Sequence, residues 1–161
     1  MKTVIKTVLY LQMALLCYAT AFANPNLKEK DFSGSILSSE TVDIDFVTLI
    51  MLVDGSGTGQ ATHLGQFTYT YEFVVDLSTG NGVGSAEFTA ANGDSFSTEI
   101  TAISPVLGHV VEEHTIVAGT GRFAGASGSF ILDRLVTTIG TTTTNVSVGT
   151  VDGTIVTSKS K

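Results

Sequence analysis

Four residues suited to metal binding or proton transfer lie close together in the second half of the sequence: His109, Glu112, Glu113 and His114. Imidazole and carboxylate groups form zinc sites and general acid–base pairs. Because residues two apart in a strand share a face, Glu112 and His114 are expected on one face and Glu113 on the other. The helical HExxH motif instead places both histidines on one face. The spacing therefore favours a solvated polar face, with one pair closing across neighbouring strands, and we predict no metal ligand and no catalytic residue.

Four other residues are candidates for contact with a ligand: His63, Tyr69, Tyr71 and Arg122. His63 either contacts a polar group of the ligand or forms hydrogen bonds to loop backbone. The second is the commoner role of a polar side chain at such a position. The two tyrosines offer aromatic rings on one strand face. Arg122 can bind a ligand carboxylate through its planar fork, or pair with Asp133 or another acid of the fold. In a chain this acidic, the internal salt bridge is the better interpretation.

Two glycine-rich stretches have the composition of phosphate-binding loops without their context. Residues 54–59 lack the Lys-Ser/Thr pair that follows such a loop, and no helix is predicted after them. Residues 119–125 lack the spacing of a dinucleotide-binding fingerprint. The strand–turn–helix context of a serine nucleophile elbow is also missing. We interpret both stretches as hairpin loops and predict no cofactor.

The order of apolar and polar residues predicts a chain made of strands, with no sustained helical period after the amino-terminal segment. The expected strands are approximately 32–38, 43–53, 65–76, 83–90, 95–103, 109–117, 127–138 and 145–157. The clearest alternation places five residues on one face: Phe67, Tyr69, Tyr71, Phe73 and Val75. Residues 46–53 are almost continuously apolar, which indicates a central core strand or a contact with a partner subunit.

Turn signals separate these strands. Asn92-Gly93 predicts a type I′ hairpin, and residues 79–82 and 140–141 carry weaker signals of the same kind. Short strands in hairpin succession imply an antiparallel sheet, and closure into a barrel removes its exposed edges. We therefore predict an all-β fold, an eight-stranded antiparallel β-barrel, with a two-sheet sandwich as the alternative.

Glycines are unusually dense between the sixth and seventh predicted strands, at positions 119, 121, 125 and 128. Glycine costs conformational entropy, so this density indicates backbone conformations that other residues adopt poorly. We expect at least one of Gly119, Gly121 and Gly125 to have a positive φ or to touch another backbone. We also expect Phe123 to be buried and Arg122 to pair with a nearby acid.

The amino terminus predicts export. Lys2 and Lys6 precede an apolar run without charge, and residues 21–23 have the A-x-A form of a signal-peptidase site. The run is short for a membrane span, which needs about 20 residues. We expect a leader at 1–23 and one domain at 24–161, located outside the cell or in the periplasm. The alternatives are an uncleaved anchor and a lipoprotein signal at Cys17.

Charge and cysteine content exclude several classes of partner. The chain has 8 basic and 15 acidic residues, and two of the lysines lie in the leader, so the remaining domain carries a formal charge of −9. An acidic domain without a basic cluster is not expected to bind nucleic acid or an anionic membrane. The only cysteine leaves with the leader, so no disulfide is expected.

Three segments, at residues 61–68, 88–94 and 119–128, resemble a group of small secreted bacterial proteins of unknown function. The last segment, which begins Gly-Thr-Gly-Arg-Phe, is also similar to the GGTGxFxxAxG stretch of plant dirigent proteins and allene oxide cyclases. This resemblance implies an eight-stranded antiparallel barrel, often trimeric, with an apolar cavity. It carries no catalytic residue over, because no position matches those of the families residue by residue.

Three classes of function remain. The first, which we favour, is a module that binds a small apolar or aromatic ligand in the barrel, because eight strands leave room for one small ligand. The second, implied by the resemblance, is an enzyme that steers a cyclisation or coupling, which needs a polar group deep in the cavity. The third is a secreted structural protein or homo-oligomer, for which residues 46–53 are the best feature.

The leader gives the first testable prediction. The secreted protein should begin at Asn24, because signal peptidase cuts after small residues in the A-x-A arrangement. Amino-terminal sequencing of the exported protein checks the cleavage site. A secreted chain that still begins at Met1 contradicts it.

Overall fold

Eight antiparallel strands close into a barrel in the computed structural model, which describes residues 27–138 and 144–158. The strands are β1 (Leu27–Asp45), β2 (Ile50–Ala61), β3 (Gly65–Asp76), β4 (Asn81–Ala90), β5 (Ser95–Val106), β6 (His109–Gly119), β7 (Ser127–Thr138) and β8 (Thr144–Ser158), with one 3-10 turn at Gly121–Phe123. Each strand pairs with the next, and β8 pairs with β1. The predicted antiparallel barrel is confirmed, and the sandwich is excluded by closure.

The two ends of the barrel differ in their connections. We call one the aromatic end; it holds the connections at residues 62–64, 91–94 and 120–126. We call the other the polar end; it holds the turns at 46–49, 77–80 and 107–108. The connection between β7 and β8 lies outside the described residues, together with the turn signal predicted there. In the described part of the chain, no helix is long and apolar enough to span a membrane.

Alternate residues of every strand fill the barrel, as the period of a strand requires. The predicted aromatic face of β3 is confirmed, since four of its five side chains are buried and Val75 is half-buried. Phenylalanine rings pack together at the aromatic end, with ring centroids 5.0 to 6.3 Å apart between Phe32, Phe96 and their neighbours. These contacts seal one end of the interior.

The glycine-rich segment 54–59 forms the middle of β2, so its interpretation as a loop was wrong. Its inward-facing glycines lie directly opposite aromatic residues of β3. The pairs are Gly55 with Tyr71, Gly57 with Tyr69 and Gly59 with Phe67. Each ring occupies the space that a side chain on β2 would need. Glycine is used here because the rings cover its backbone, an arrangement known from aromatic rescue of strand glycines.

The apolar segment 46–53 also differs from its prediction as one core strand. Its first half is the turn between β1 and β2, in which Phe46 is 78% and Val47 is 92% exposed. Asp45 holds this turn, because its carboxylate accepts hydrogen bonds from the Val47 amide and the Thr48 hydroxyl. The hydrogen bonds of the Asp45 side chain to the following residues favour a turn here, although the segment is apolar in composition.

The glycine-rich connection after β6 behaves as predicted. Gly121 and Gly125 have φ values of 53° and 71°, and Phe123 is buried. Arg122 lies 3.7 Å from the Asp94 carboxylate and donates to the Leu64 carbonyl. Its acidic partner is therefore Asp94, while the candidate named from sequence, Asp133, pairs with a histidine.

The hairpin predicted at Asn92-Gly93 is present, but it is not type I′. A type I′ turn needs a positive φ at both central residues. Only Gly93 has one, at 88°, because the Asn92 side chain instead bonds Asp94 within a four-residue connection. The predicted leader at 1–23 lies outside the described residues.

The β2 glycines give the second prediction. Gly57→Ala should destabilise the fold by about 1–3 kcal/mol, because it overpacks the interior. The added Cβ would lie 2.5 Å from the Leu37 carbonyl oxygen and 2.6 Å from the Tyr69 ring. Ser56→Ala, at the exposed position beside it, is the control and should change stability by less than about 0.5 kcal/mol. Urea unfolding of both variants checks this, and equal stability of the two contradicts it.

Candidate functional site

A buried arginine organises the polar half of the interior. Arg134 points inward from β7, and its side chain is 5% exposed. Its Nε lies 2.5 Å from Glu112 Oε1 on β6, and its Nη1 lies 2.6 Å from Glu40 Oε2 on β1. Burial alone lowers the pKa of Arg134, but the carboxylates of Glu112 and Glu40 outweigh it and raise that pKa further above its ordinary value.

Hydroxyl and amide groups surround the Glu40 side of this ion pair. The Tyr71 hydroxyl donates to Glu40 Oε2 at 2.9 Å, and the Asn145 amide donates to Glu40 Oε1 at 3.3 Å. Ser147 accepts from Arg134 at 3.2 Å and lies 2.6 Å from the hydroxyl of Ser38. The buried charge is thus satisfied on several sides, which a charge needs inside a protein.

His114 extends the cluster on the Glu112 side. Its Nε2 is 3.1 Å from Glu112 Oε2, and its Nδ1 is 2.9 Å from the Thr98 hydroxyl. Because an ionised carboxylate only accepts, Nε2 carries the proton, and in the neutral ring Nδ1 accepts from Thr98. The ring stacks on Phe130 with centroids 4.7 Å apart. The imidazole is therefore fixed in position and orientation.

We call Glu40, Tyr71, Glu112, His114 and Arg134 the Arg134 network. It brings together one guanidinium, two carboxylate side chains, one imidazole and one phenol. Such a network can accept and donate hydrogen bonds, and a carboxylate beside an imidazole is a pairing that general acid–base catalysis uses. Among the described residues, no group of three or more histidine, cysteine, aspartate or glutamate side chains is placed to hold a metal ion.

Tyr69 is the exception among these buried polar groups. It lies next to Tyr71 on the same face, with ring centroids 5.4 Å apart. Its hydroxyl is the one buried side-chain polar atom without a hydrogen-bond partner in the described part of the chain. Burial raises the pKa of Tyr69 to about 12 and also raises that of Tyr71. Both phenols are therefore neutral at ordinary pH.

Apolar side chains line the interior between the Arg134 network and the polar end. Val42, Met51, Val75 and Val110 are half-buried there and pack against the core. Half-buried aliphatic side chains therefore separate the buried charges from the polar end, whereas phenylalanines pack at the aromatic end. A mostly apolar site with a few convergent polar groups is the usual composition of a ligand pocket.

The four ligand candidates predicted from sequence fall into two places. Tyr69 and Tyr71 lie together in the interior, next to or within the Arg134 network. His63 and Arg122 lie at the aromatic end, away from the network. His63 is exposed in the turn before β3 and has a φ of 63°. Partial desolvation of its ring and the nearby positive charges of Lys30 and Lys28 lower its pKa.

The cluster of histidines and glutamates also separates as its strand spacing predicted. Glu112 and His114 face inward, Glu113 faces outward, and His109 closes a pair with Asp133 across β6 and β7 at 2.8 Å. The inward half, however, is buried in the Arg134 network rather than solvated. That expectation of a solvated polar face was wrong for Glu112 and His114.

Sequence reasoning missed the two residues that complete the site, Glu40 and Arg134. A usable signal was present in both strands. Arg134 continues the inward row of Phe130 and Leu132, and Glu40 continues the row that begins with Phe32 and Ile36. A charged residue at an inward position of an apolar row marks a buried charge that needs a partner.

Comparison with solved structures finds proteins of similar fold. No protein-family model matches the chain, and no curated protein matches it. The pterocarpan synthase dirigent protein GePTS1 is similar in structure, with a TM-score of 0.63 and 13% identity over 87% of this chain and 94% of that one. The pterocarpan synthase dirigent protein PsPTS1 has a TM-score of 0.56 and 13% identity, over 83% and 97% respectively. At this identity the likeness establishes the fold alone, a dirigent-like barrel.

The two interior tyrosines give the third prediction. Tyr71→Phe should destabilise the fold by about 1.5–3 kcal/mol, because it removes a buried hydrogen bond to a charged carboxylate. Tyr69→Phe is the matched control and should leave stability unchanged or raised, because its hydroxyl has no partner among the described residues. Chemical unfolding measures both, and a larger loss in Tyr69→Phe contradicts the geometry.

The raised phenol pKa values give the fourth prediction. Tyr10 and Tyr18 precede Asn24, so in a chain cleaved before Asn24 the tyrosinate absorbance comes from Tyr69 and Tyr71 only. A phenol whose pKa is higher in the folded chain than in the unfolded chain contributes to stability. This contribution is complete at pH values below the unfolded pKa of about 10. For Tyr69 this contribution is lost as the pH rises through about 12. Absorbance at about pH 11 should show little tyrosinate until denaturant is added, and full ionisation of the folded chain contradicts the burial.

Proposed function

We propose that the barrel binds a small aromatic ligand bearing a hydroxyl group, which enters at the polar end and meets the Arg134 network. The observation that carries this proposal is a charged network buried in the interior, with half-buried aliphatic side chains between it and the polar end. Replacing a buried ion pair by apolar residues is often neutral or stabilising, so a fold alone has little need of one. Binding of a ligand to the Arg134 network would account for the presence of these buried charges.

The charge of the network supports a neutral, hydrogen-bond-donating ligand. Glu40 and Glu112 supply two acceptor carboxylates against one guanidinium. A ligand hydroxyl can donate to a carboxylate, whereas a ligand carboxylate is repelled by both glutamates. The aromatic rings of Tyr71 and Phe73 lie beside Arg134, at 5.2 and 5.8 Å from its guanidinium carbon, and favour a flat apolar body.

A second candidate is a dirigent-like role in which the barrel steers a cyclisation or coupling of the bound molecule. The observation that favours it is the Glu112–His114 pair, since a fixed imidazole beside a carboxylate is an acid–base pair. The structural neighbours are pterocarpan synthase dirigent proteins, which supports this candidate at the level of fold. Because a leader is predicted at 1–23, the proposal locates either activity outside the cell or in the periplasm.

The fifth prediction tests the ligand class with three probes that share one ring system. The protein should bind 2-naphthol more tightly than 2-methoxynaphthalene, which cannot donate, and 2-naphthoate should bind most weakly. Loss of a hydrogen bond to a charged group predicts a difference of about tenfold or more between the first two. Calorimetry or probe fluorescence measures the three affinities.

Two variants locate the binding. Glu40→Gln should weaken 2-naphthol binding while the protein remains folded by circular dichroism, and Asp133→Asn, at an exposed carboxylate on β7, should not. Binding of none of the probes, or tightest binding of 2-naphthoate, overturns the proposal. A shift in the pH dependence of binding on substitution of His114 by Gln distinguishes the acid–base candidate from simple binding.

A further inference from the structure

The outer face of β2 to β5 carries an apolar row that nothing covers in the described chain. Leu52 pairs with Val74, and Val74 pairs with Val83, so the three side chains are contiguous across three strands. They are 47%, 47% and 60% exposed. They line a shallow groove of about 1000 Å³, on the opposite side of the sheet from the Arg134 network. A contiguous exposed apolar patch of this kind usually marks a binding surface.

Carboxylates flank this apolar row. Asp54 lies directly opposite Glu72 across β2 and β3, and both line the groove with Glu99 and Glu113. Like charges directly opposite on neighbouring strands destabilise a sheet. None of these four carboxylates forms a salt bridge with any described residue. The groove therefore combines apolar surface with uncompensated negative charge, at some cost to the fold.

The cations of the described chain lie elsewhere. Lys28, Lys30 and Arg122 are at the aromatic end, and Arg134 is buried. The exposed cations that the described part of a second copy could offer are therefore confined to its aromatic end, as Lys28 is at the start of β1. Pairing of two grooves would bring carboxylates against carboxylates. Charge complementarity thus favours a different molecule, one that is cationic.

We propose that this groove, which we call the acidic groove, binds a cationic amphipathic peptide or protein segment. The apolar residues of the partner lie on Leu52, Val74 and Val83, and its lysine or arginine side chains reach the carboxylates on either side. An extended segment suits the surface, because its side chains alternate between two faces with the same period as the strands below. This inference does not depend on the ligand proposed for the interior.

A peptide of alternating lysine and leucine is the test probe, with fluorescence anisotropy as the readout. The wild-type protein should bind it, and the double variant D54N/E72Q should lose about tenfold or more in affinity, since several ion pairs weaken together. Val83→Thr should also weaken binding. The control variant E29Q/D152N removes two exposed carboxylates outside the groove and should bind as the wild type does.

Stability and peptide composition provide independent checks. D54N/E72Q should be at least as stable as the wild type, because it removes a like-charge pair, so lost binding is not lost folding. Equal binding of an alternating lysine and serine peptide overturns the amphipathic requirement. No binding by the wild type, equal loss in E29Q/D152N, or a dimer in native mass spectrometry that Val83→Thr dissociates overturns the proposal.

Discussion

The pairing of Arg134 with Glu40 and Glu112 is the interaction on which the interior of this barrel depends. One guanidinium compensates two carboxylates in a space otherwise filled by aromatic and aliphatic side chains. The three residues belong to β7, β1 and β6, so the pairing spans β8, where Ser147 bonds the arginine and contacts Ser38 of β1. The same interaction therefore supports closure of the barrel and holds the polar groups of the interior in fixed positions.

Small and large residues are distributed unevenly along the barrel, so the two halves of the interior differ. Glycines on β2 make room for the rings of β3, and phenylalanines fill the aromatic end. In the polar half, half-buried aliphatic side chains lie between the buried charges and the polar end. The fold resembles that of dirigent proteins, and the buried charges give this barrel a site of its own to be tested.

The sequence predicted most of the fold because alternation is strong where it matters, as in the five residues from Phe67 to Val75. It failed at residues 54–59, since glycine normally signals a loop and its place in β2 depends on rings supplied by β3. Of the Arg134 network it named Tyr71 as a ligand candidate and placed Glu112 and His114 on one face, but it expected those two to be solvated. Arg134 and Glu40 were missed because they are 94 positions apart, and only the register of the closed barrel brings them together.

Unfolding free energies of Arg134→Met and of the triple variant R134M/E40Q/E112Q test the central claim most directly. Loss of the arginine alone leaves two buried carboxylates uncompensated and should cost about 3–5 kcal/mol, whereas the triple variant removes those charges as well and should recover most of that loss. An Arg134→Met protein within about 1 kcal/mol of the wild type, the value of an exposed ion pair, would contradict the account.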